Sequence, residues 1–393
     1  MVVPATRIAI GDVIAGRYQI AAPLGSGAMG TVYRARHLRL PRNVAIKILH
    51  ADYINSPKLL RRFEREALLA ARLNHHNVVP VIDFGETDDG VHYIVMELAD
   101  GPTLGDVMSE VGVMPVPRVI ELVKQLCSGL DHAHNHGLVH RDFKPDNVII
   151  ERVGDEERAR IIDFGISTLR EEPPDGEKLT TVGLVLGTPH YMAPEHVSGQ
   201  PIDHRIDLFA LGIVVYEMLT GRLPFDGNGA EVARANLLLD PPPMRERAPG
   251  VDIDPLLEAF TRRLLAKLPD ERPSSAFAAR LMIELIGRDR VAAATLLGVD
   301  PSPYAPPMIV HETPTTAVVA AATVLLPSHL APTIKTPMPL PKGLFKRRWP
   351  WIAVGGALAV GAIALSQCAS SVVVKSPTRD AGSISTARAE TDE

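Results

Sequence analysis

A group of polar residues suited to phosphoryl transfer lies between two apolar runs, in the stretch LVHRDFKPDNVII at positions 138–150. Charged groups are costly to bury unless they are paired, so this placement needs a chemical reason. Together with IIDFG further on, HRDFKPDN offers a carboxylate for an incoming hydroxyl, an amide and a second carboxylate for a divalent metal ion, and cations for a transferred phosphate. The pattern predicts a phosphoryl-transfer loop.

A glycine-rich segment upstream, LGSGAMGTVY, places Gly25, Gly27 and Gly30 at G-x-G-x-x-G spacing. This spacing alone is a weak signal, because dinucleotide-binding proteins share it. In those proteins a helix follows the third glycine, whereas here strand formers follow, which predicts a hairpin that folds over phosphates. A hairpin without a ligand is the alternative. Lys47 in VAIK and Glu66 in the next helix favour phosphate binding, since Glu66 can hold Lys47 against a nucleotide.

Two kinds of secondary structure must position these residues. The first part of the chain alternates β-branched and apolar residues between Gly, Asp and Pro turns, which is typical of an antiparallel sheet. One helix is predicted there, in SPKLLRRFEREALLAARLN. From TLGDVM onward helical periodicity dominates. A β-rich piece followed by an α-rich piece predicts a two-lobed α+β fold with its chemistry in the cleft between the lobes.

Composition limits the class of protein. With 393 residues the chain exceeds what one core organises, so two lobes and further segments are expected. The net charge of −5 argues against bulk nucleic-acid binding, which needs a basic excess. The chain has only two cysteines, Cys127 and Cys368, and Cys127 lies in an apolar-periodic helical segment, so a disulfide framework is not expected. The main body fits a reducing compartment, and no signal-peptide pattern opens the chain.

The C-terminal part predicts a membrane anchor. The run WPWIAVGGALAVGAIAL at 349–365 contains no charged side chain, and with the residues behind it reaches the roughly 20 residues that a bilayer demands. The basic cluster KGLFKRR at 342–348 precedes it, and positive charge collects on the cytoplasmic side. One span of the inner membrane is therefore expected, with all upstream residues in the cytosol. A buried core helix is the alternative.

Over roughly Tyr18 to Ile286 the chain resembles the eukaryotic-like (Hanks-type) serine/threonine protein kinases, in the layout of their membrane-anchored bacterial members. LGSGAMG, VAIK, HRDFKPDN, DFG and APE occur in the family's order. The resemblance implies a bilobal protein kinase fold, with a β-rich N-lobe carrying one helix and an α-rich C-lobe. The predicted parts are an N-terminal tail at 1–17, a kinase domain at 18–287, a Pro/Thr/Ala-rich disordered linker at 288–341, the basic segment at 342–348, a transmembrane helix at 349–369 and a short extracytoplasmic tail at 370–393.

The resemblance also implies what each polar residue does. Asp142 would accept the proton of the substrate hydroxyl, and Lys144 would steady the γ-phosphate. Lys47 would hold the α- and β-phosphates of ATP and pair with Glu66. Magnesium, with manganese as the alternative, would be bound by two residues, Asn147 and Asp163. Adenine would lie between Val32 and Ala45 on one side and Ile149 on the other, with hydrogen bonds to the hinge backbone near Glu97 and Leu98. The remaining ATP site is predicted at Leu24, Gly25, Ser26, Gly27, Ala28, Met29, Gly30, Val32, Ala45, Met96, Glu97, Leu98 and Ile149, with Met96 as the gatekeeper and Asp106 as a ribose contact.

Regulatory and structural residues follow from the same resemblance. Thr180 and Thr181 lie between DFG and APE, where the family is phosphorylated, and Arg141 is expected to contact that phosphate. Activation by autophosphorylation is the resulting prediction. Glu195 of APE and Arg272 are expected to form a structural ion pair.

The favoured function is transfer of the γ-phosphate of ATP to Ser or Thr hydroxyls of cytosolic proteins by a membrane-tethered kinase. A kinase-shaped binding module without catalysis is the alternative from another class. Such modules usually lack one of four residues, all present here: Lys47, Asp142, Asn147 and Asp163. A small-molecule phosphotransferase is a third interpretation. A homodimer is an assembly that the resemblance allows.

Overall fold

The computed structural model of the chain describes residues 8–27, 29–50, 57–164 and 189–304. The chain divides into two units, Met1–His311 and Glu312–Glu393, and every described residue belongs to the first. Ala28, Thr180, Thr181, the predicted basic segment and the predicted transmembrane helix lie outside the described residues. Within the described ranges, the structure contains no helix with the length and apolar character needed to cross a bilayer.

The N-lobe contains a six-stranded antiparallel sheet in the order β1–β2–β3–β4–β6–β5. Directly opposite residues in such a sheet, and residues two apart on one strand, share a face. Val32 lies opposite Lys47 and Ala45 lies opposite Met96, so these four side chains lie on one face of the sheet. The strands are β1 Val13–Ile14, β2 Tyr18–Ser26, β3 Gly30–His37, β4 Asn43–Leu49, β5 Val81–Glu86 and β6 His92–Glu97.

Each face of this sheet has its own apolar cluster. One cluster is centred on Ile20, Val44 and Ile46. The other forms beneath helix α1, Pro57–Ala70, whose residues Phe63 and Ala67 pack against the face that carries Lys47. The predicted helix is thereby confirmed, and it lies over the face of the sheet that would hold a nucleotide.

The C-lobe is helical. Its central helix, α5 Arg205–Thr220, has apolar residues on every side and lies inside the lobe with nearly every side chain buried. The other helices pack around it and share one core. The prediction of a β-rich lobe followed by a helical lobe is confirmed. The helices are α2 Leu104–Val111, α3 Val116–Asn135, α4 Pro194–Val197, α5 Arg205–Thr220, α6 Gly229–Leu238, α7 Met244–Arg247, α8 Pro255–Leu264, α9 Ala276–Arg288 and α10 Arg290–Leu297.

A two-stranded hairpin, β7 Val148–Val153 and β8 Glu156–Ile161, connects the catalytic loop, residues 136–147, to the segment that begins with Asp163. It is joined to the chain between α1 and β5 by two backbone hydrogen bonds. The N–H of Val79 donates to the carbonyl of Ile161, and the N–H of Ile161 donates to the carbonyl of Asn77, both at 2.9 Å. The hairpin therefore links the helical lobe to the sheet.

Helix α10 lies within the stretch that the sequence predicted as the start of a disordered linker. Its small residues Ala293 and Ala294 are fully buried, and Asp289 caps its first turn. Arg290 forms two 2.9 Å hydrogen bonds to Asp254 of α8's N-terminus. The prediction was wrong for this part of the linker, because the buried residues of this eight-residue helix are alanines, which give only a weak apolar periodicity.

Candidate active site

The catalytic loop lies between α3 and β7 and ends in a 3-10 turn at Pro145–Asn147. The Nζ atom of Lys144 lies 2.8 Å from Oδ2 of Asp142. Asn147 Nδ2 donates to the carbonyl oxygen of Asp142 at 2.7 Å. Phe143 points the other way and is buried at 1% exposure, which anchors the loop in the core. The three polar side chains predicted from the sequence are therefore neighbours.

A buried carboxylate that the sequence reasoning missed holds this loop in place. Asp207 of α5 accepts hydrogen bonds from the backbone N–H groups of His140 and Arg141 and from Nε2 of His134, each at 2.8 Å. Arg141 has a φ of 67°, which a non-glycine residue rarely adopts, and its bond to Asp207 helps to fix it. Burial raises the pKa of Asp207, but hydrogen bonds and charge from His134 and His140 lower it by more, so the net pKa is below its usual value.

The second predicted carboxylate, Asp163, follows β8 and meets Lys47. Its Oδ2 accepts a 2.8 Å hydrogen bond from Lys47 Nζ. Its φ is 59°, and the next residue, Phe164, is buried with its ring centre 4.9 Å from that of His140. Within the described part of the chain, the other carboxylate oxygen, Oδ1, is buried without a hydrogen-bond partner. Such an oxygen is costly, and a bound cation would satisfy it.

Asn147 and Asp163 fit a divalent metal ion. The N–H of Ile162, next to Asp163, donates to the carbonyl oxygen of Asn147 at 3.0 Å, which brings the two residues together. The side-chain nitrogen of Asn147 is bound to Asp142, so its amide oxygen is the atom available as a ligand. Carboxylate and amide oxygens are ligands suited to Mg²⁺ and Mn²⁺. The unsatisfied Oδ1 of Asp163 is the observation that favours such an ion.

Glu66 lies three residues after Phe63 on α1, and its side chain is partly buried. The resemblance implies an ion pair between Glu66 and Lys47. Among the ion pairs of the described residues, Lys47 contacts Asp163 rather than Glu66. The distance between α1 and the sheet decides which carboxylate Lys47 meets, and that distance depends on tertiary packing rather than on local sequence.

The residues predicted to enclose adenine lie on two surfaces. Val32, Ala45 and Met96 share the sheet face described above, and Ala45 and Met96 are buried in its apolar cluster. Ile149 belongs to β7 on the opposite side and is bridged to Thr103 at the start of α2. The predicted hinge residues Glu97 and Leu98 connect these surfaces, because β6 ends at Glu97.

The glycine-rich segment forms the predicted hairpin, with Ser26 of β2 opposite Thr31 of β3. A Cβ on Gly30 would collide with the backbone carbonyl of Ile48, so packing explains this glycine. A Cβ on Gly25 would meet nothing within 4 Å, and one on Gly27 only a carbonyl at 3.9 Å. The described fold does not require glycine at these two positions, which leaves room for the close approach of a ligand. Two other residues of this segment that were predicted to line the ATP site differ from each other in burial: Leu24 is 48% exposed, whereas Met29 is buried.

Asp106, the predicted ribose contact, has a structural function in α2. Its carboxylate accepts hydrogen bonds from the backbone N–H of Thr103 at 3.0 Å and from its hydroxyl at 2.7 Å. The Asp106 N–H donates back to Thr103 Oγ1 at 3.0 Å, which completes a capping box. Hydrogen bonds from Thr103 lower the pKa of the Asp106 carboxyl.

The predicted structural ion pair is present away from the cleft. Arg272 binds both carboxylate oxygens of Glu195, at 2.6 and 2.7 Å, and both side chains are buried. Arg141, predicted to contact a phosphorylated loop, lies beside Asp142, and the predicted phosphorylation sites lie outside the described residues. An acidic residue inside the apolar helix IDLFALGIVV was the sequence signal that could have identified Asp207 as a site residue.

Comparison with known proteins gives matches over the same region. Residues 18–282 match the family model described as Protein kinase domain. The chain is 39% identical over 289 residues to the serine/threonine-protein kinase pkn3 of Myxococcus xanthus, which covers 73% of this chain and 53% of the relative. It is 41% identical over 268 residues to the serine/threonine-protein kinase PknB of Mycolicibacterium smegmatis, covering 67% of this chain and 42% of the relative. The chain thus spans about half of these curated relatives, or less.

A solved structure gives a likeness of the fold. The crystal structure of the Mycobacterium tuberculosis PknI kinase domain aligns with a TM-score of 0.56 at 30% sequence identity. The alignment covers 71% of this chain and 99% of that one.

Proposed function

Because the chain belongs to the protein kinase domain family, among the bacterial Hanks-type serine/threonine kinases, we propose that it transfers the γ-phosphate of ATP to serine and threonine hydroxyls of proteins. The observation that carries this proposal is the convergence of two pairs of side chains. Asp142 lies within 2.8 Å of Lys144, and Asp163 within 2.8 Å of Lys47. The backbone hydrogen bond from Ile162 to Asn147 joins the two halves.

Asp142 supplies the proton acceptor. Its carboxylate orients the substrate hydroxyl and takes its proton while the hydroxyl oxygen forms a bond to the γ-phosphorus and the bond to the β-phosphate oxygen breaks. Lys144 places a positive charge beside this carboxylate, where it neutralises charge on the transferred group. Lys47 holds the α- and β-phosphates. These residues position the reactants and neutralise charge, and no covalent intermediate with the protein is needed.

The family implies ATP and a divalent metal ion as cofactors. A bound divalent ion neutralises the developing charge on the phosphates during transfer. Asn147 and Asp163 would hold it through their side-chain oxygens. Magnesium is the proposed ion and manganese the alternative, since both accept oxygen ligands of this kind.

The ATP site extends from the glycine-rich hairpin to the hinge. Backbone groups of 25–30 cover the phosphates, and the open space above Gly25 supports this. Adenine lies between the apolar side chains of the sheet face and Ile149, with hydrogen bonds to the backbone at Glu97 and Leu98. Met96 is the gatekeeper at the back of this site, and its burial in the sheet cluster supports that position.

Autophosphorylation of Thr180 and Thr181 activates the kinase. Added phosphate charge opposite an arginine orders a loop, and Arg141 is held beside Asp142 by Asp207. Mass spectrometry of the chain after incubation with ATP tests this. Full specific activity of a Thr180→Ala, Thr181→Ala double variant would show the idea to be wrong.

Residues 349–369 tether the kinase to the inner membrane with its kinase domain, 18–287, in the cytoplasm beside its protein substrates. The charge-free run and the basic segment at 342–348 support this. Fractionation tests it: the full chain should sediment with membranes, and a chain ending at residue 341 should not. Sedimentation equilibrium of that shorter chain tests homodimer formation.

A transfer assay on the purified full chain tests the main proposal. Incubation with labelled ATP, Mg²⁺ and a generic basic protein should label that protein. Replacing the proton acceptor in Asp142→Asn should lower the rate roughly 10²-fold or more, the scale for loss of a positioned acid–base group. Equal rates for the two chains would contradict the proposal and favour a kinase-shaped binding module. Labelling of small molecules but not of protein would favour a small-molecule phosphotransferase.

A further inference from the structure

A buried arginine that the proposed mechanism does not use lies directly behind the hinge. Arg160 of β8 is 7% exposed. Its Nη1 donates to Glu97 Oε1 at 2.6 Å and to Glu151 Oε1 at 3.3 Å. Its Nη2 lies 3.5 Å from the carbonyl oxygen of Val78. Its Nε is buried without a hydrogen-bond partner among the described residues. A guanidinium is expensive to bury unless it is paired, so the contacts of the two Nη atoms hold Arg160 in place.

The contacts of Arg160 reach both ends of the hinge, residues 97–100, directly at Glu97 and through Glu151 of β7 at Asp100. Glu97 is the last residue of β6. At the other end, the N–H of Asp100 donates to Glu151 Oε1 at 3.2 Å, the same oxygen that Arg160 contacts. Leu98 and Ala99 lie between these two attachment points. The proposed function places the adenine hydrogen bonds at Glu97 and Leu98, so the Arg160 contacts bracket the backbone that must recognise the base.

The chain directly after the hinge, Gly101 and Pro102, is packed closely against β7. The N–H of Ile150 donates to the carbonyl of Pro102 at 2.9 Å. A Cβ added to Gly101 would collide with the carbonyl oxygen of Ile150. Backbone contacts also hold the start of the hinge, since Glu97 pairs with Val44 of β4 and its N–H donates to the carbonyl of Pro80 at 3.1 Å. Between these two fixed flanks, the side-chain contacts of Arg160 and Glu151 add restraints at Glu97 and Asp100.

We propose that Arg160 is a positioning residue for nucleotide recognition. By binding Glu97 directly and Asp100 through Glu151, it fixes the hinge backbone in the conformation that donates to and accepts from adenine. This inference rests on the proposed function of the cleft, and it adds a residue that determines how tightly the cleft binds nucleotide. Since Arg160 lies behind the hinge and away from Asp142, its loss should weaken nucleotide binding rather than slow the transfer step.

Binding and turnover of the purified full chain test this together. Calorimetric titration with Mg·ADP gives Kd, and steady-state assays give KM for ATP and kcat separately. Glu97→Gln removes only the charge at the half-exposed end of the pair, and should raise Kd and KM by about 2- to 5-fold. Arg160→Met removes both arms and should raise them by about 10-fold or more. Arg160→Lys should recover part of the loss, because it keeps the charge but not the forked geometry.

A double-variant cycle separates a hinge contact from general damage. In the Arg160→Met background, Glu97→Gln should have no further effect, because the partner is already absent. Glu246→Gln, an exposed carboxylate on α7, is the matched control and should leave Kd unchanged. Thermal unfolding of each variant checks that it is folded, and Glu97→Gln, at an exposed side chain, keeps the test valid if Arg160→Met is unstable.

Two results would overturn the inference while leaving the proposed function intact. One is an unchanged Kd for folded Glu97→Gln and Arg160→Lys chains. The other is a fall in kcat with no change in Kd. Failure of the proposed function looks different, because the unmodified chain would then show neither Mg²⁺-dependent nucleotide binding nor phosphate transfer.

Discussion

Two ion pairs of this protein use similar groups and are built differently. Arg272 and Glu195 in the C-lobe have side-chain exposures of 0% and 4%, whereas Lys47 and Asp163 in the cleft have 11% and 22%. All five N–H groups of Arg272 find acceptors: two in Glu195 and three in backbone carbonyls, namely Ala266 O, Arg205 O and Lys267 O. In the cleft, one 2.8 Å contact joins Lys47 to Asp163, whose other oxygen is buried without a hydrogen-bond partner in the described ranges.

This difference separates a structural ion pair from one that we propose takes part in catalysis. A buried pair whose hydrogen bonds are complete within the protein has no capacity left for a ligand, and its removal should act on stability. A pair with an unsatisfied carboxylate oxygen carries a cost in the unliganded protein that a metal ion and a phosphate can relieve. In these two pairs, the completeness of the hydrogen bonding, more than burial alone, separates the structural pair from the pair proposed to serve the chemistry.

Breaking the complete pair should have the largest effect. Arg272→Met leaves the Glu195 carboxylate buried and unpaired, which should lower the free energy of unfolding by about 3–5 kcal/mol. Urea denaturation measures this. Replacing both partners, as Arg272→Met with Glu195→Leu, should recover most of the loss because no charge remains to be desolvated.

The exposed Arg263 on α8 provides the control for this substitution. Arg263→Met should change the free energy of unfolding by no more than about 0.5 kcal/mol. A loss of under 1 kcal/mol for Arg272→Met, comparable to an exposed salt bridge, would remove the distinction between the two pairs.

Changing the incomplete pair should act on catalysis instead. Asp163→Asn removes a proposed metal ligand and should lower the transfer rate at least about 100-fold, since a bound cation contributes several kcal/mol of charge stabilisation. Its free energy of unfolding should fall by less than about 1 kcal/mol, because the buried unsatisfied charge disappears with its single partner contact. The measurements are initial rates over a Mg²⁺ titration and urea denaturation.

Asp270→Asn is the matched control, because that carboxylate is 93% exposed and lies outside the cleft. Its rate and Mg²⁺ dependence should equal those of the unmodified chain. An Asp163→Asn chain that keeps the original Mg²⁺ dependence would show that Asp163 is not a metal ligand.

Local signals predicted most of the fold and the positions of the site motifs. Alternating apolar residues around Ala45 and Lys47 specify β4, and strand formers after Gly30 specify the hairpin, because each depends only on neighbours in sequence. Helix α10 was missed because its alanines give little apolar periodicity. The sequence could place the motifs in order but not measure the distances between them.

Contacts between distant segments were the part that sequence reasoning could not supply. Lys47 is 116 residues from Asp163 in sequence, and whether it meets that carboxylate or Glu66 depends on the packing of α1. In the sequence ERARI, Arg160 is one of several charged residues and has no distinguishing feature. Only the fold brings it into contact with Glu97, which lies 63 residues earlier. Such pairings emerge from tertiary structure, which local propensity does not encode.

Asp207 extends the comparison, because both of its carboxylate oxygens accept hydrogen bonds within the protein, as in Glu195, and yet it supports the candidate active site. It holds the backbone N–H groups of His140 and Arg141, directly before Asp142. Despite burial, which raises its pKa, hydrogen bonds and charge from His134 and His140 hold the pKa below the usual 3.8. A carboxyl whose pKa is lowered on folding contributes stability above its unfolded pKa, and loses it as pH falls through its folded pKa.

The Asp207→Asn variant should therefore be less stable than the unmodified chain near pH 6, by about 1–3 kcal/mol for the unsatisfied N–H groups. The difference between the two chains should shrink as pH falls from 3.8, the pKa of the unfolded carboxyl, through the lower folded pKa, where the native carboxyl becomes protonated and loses the same advantage. Urea denaturation of both chains at a series of pH values from 6 to about 2 measures this. A difference that stays constant with pH would mean that the charge of Asp207 does not stabilise the loop, and that its shape alone is what the catalytic loop requires.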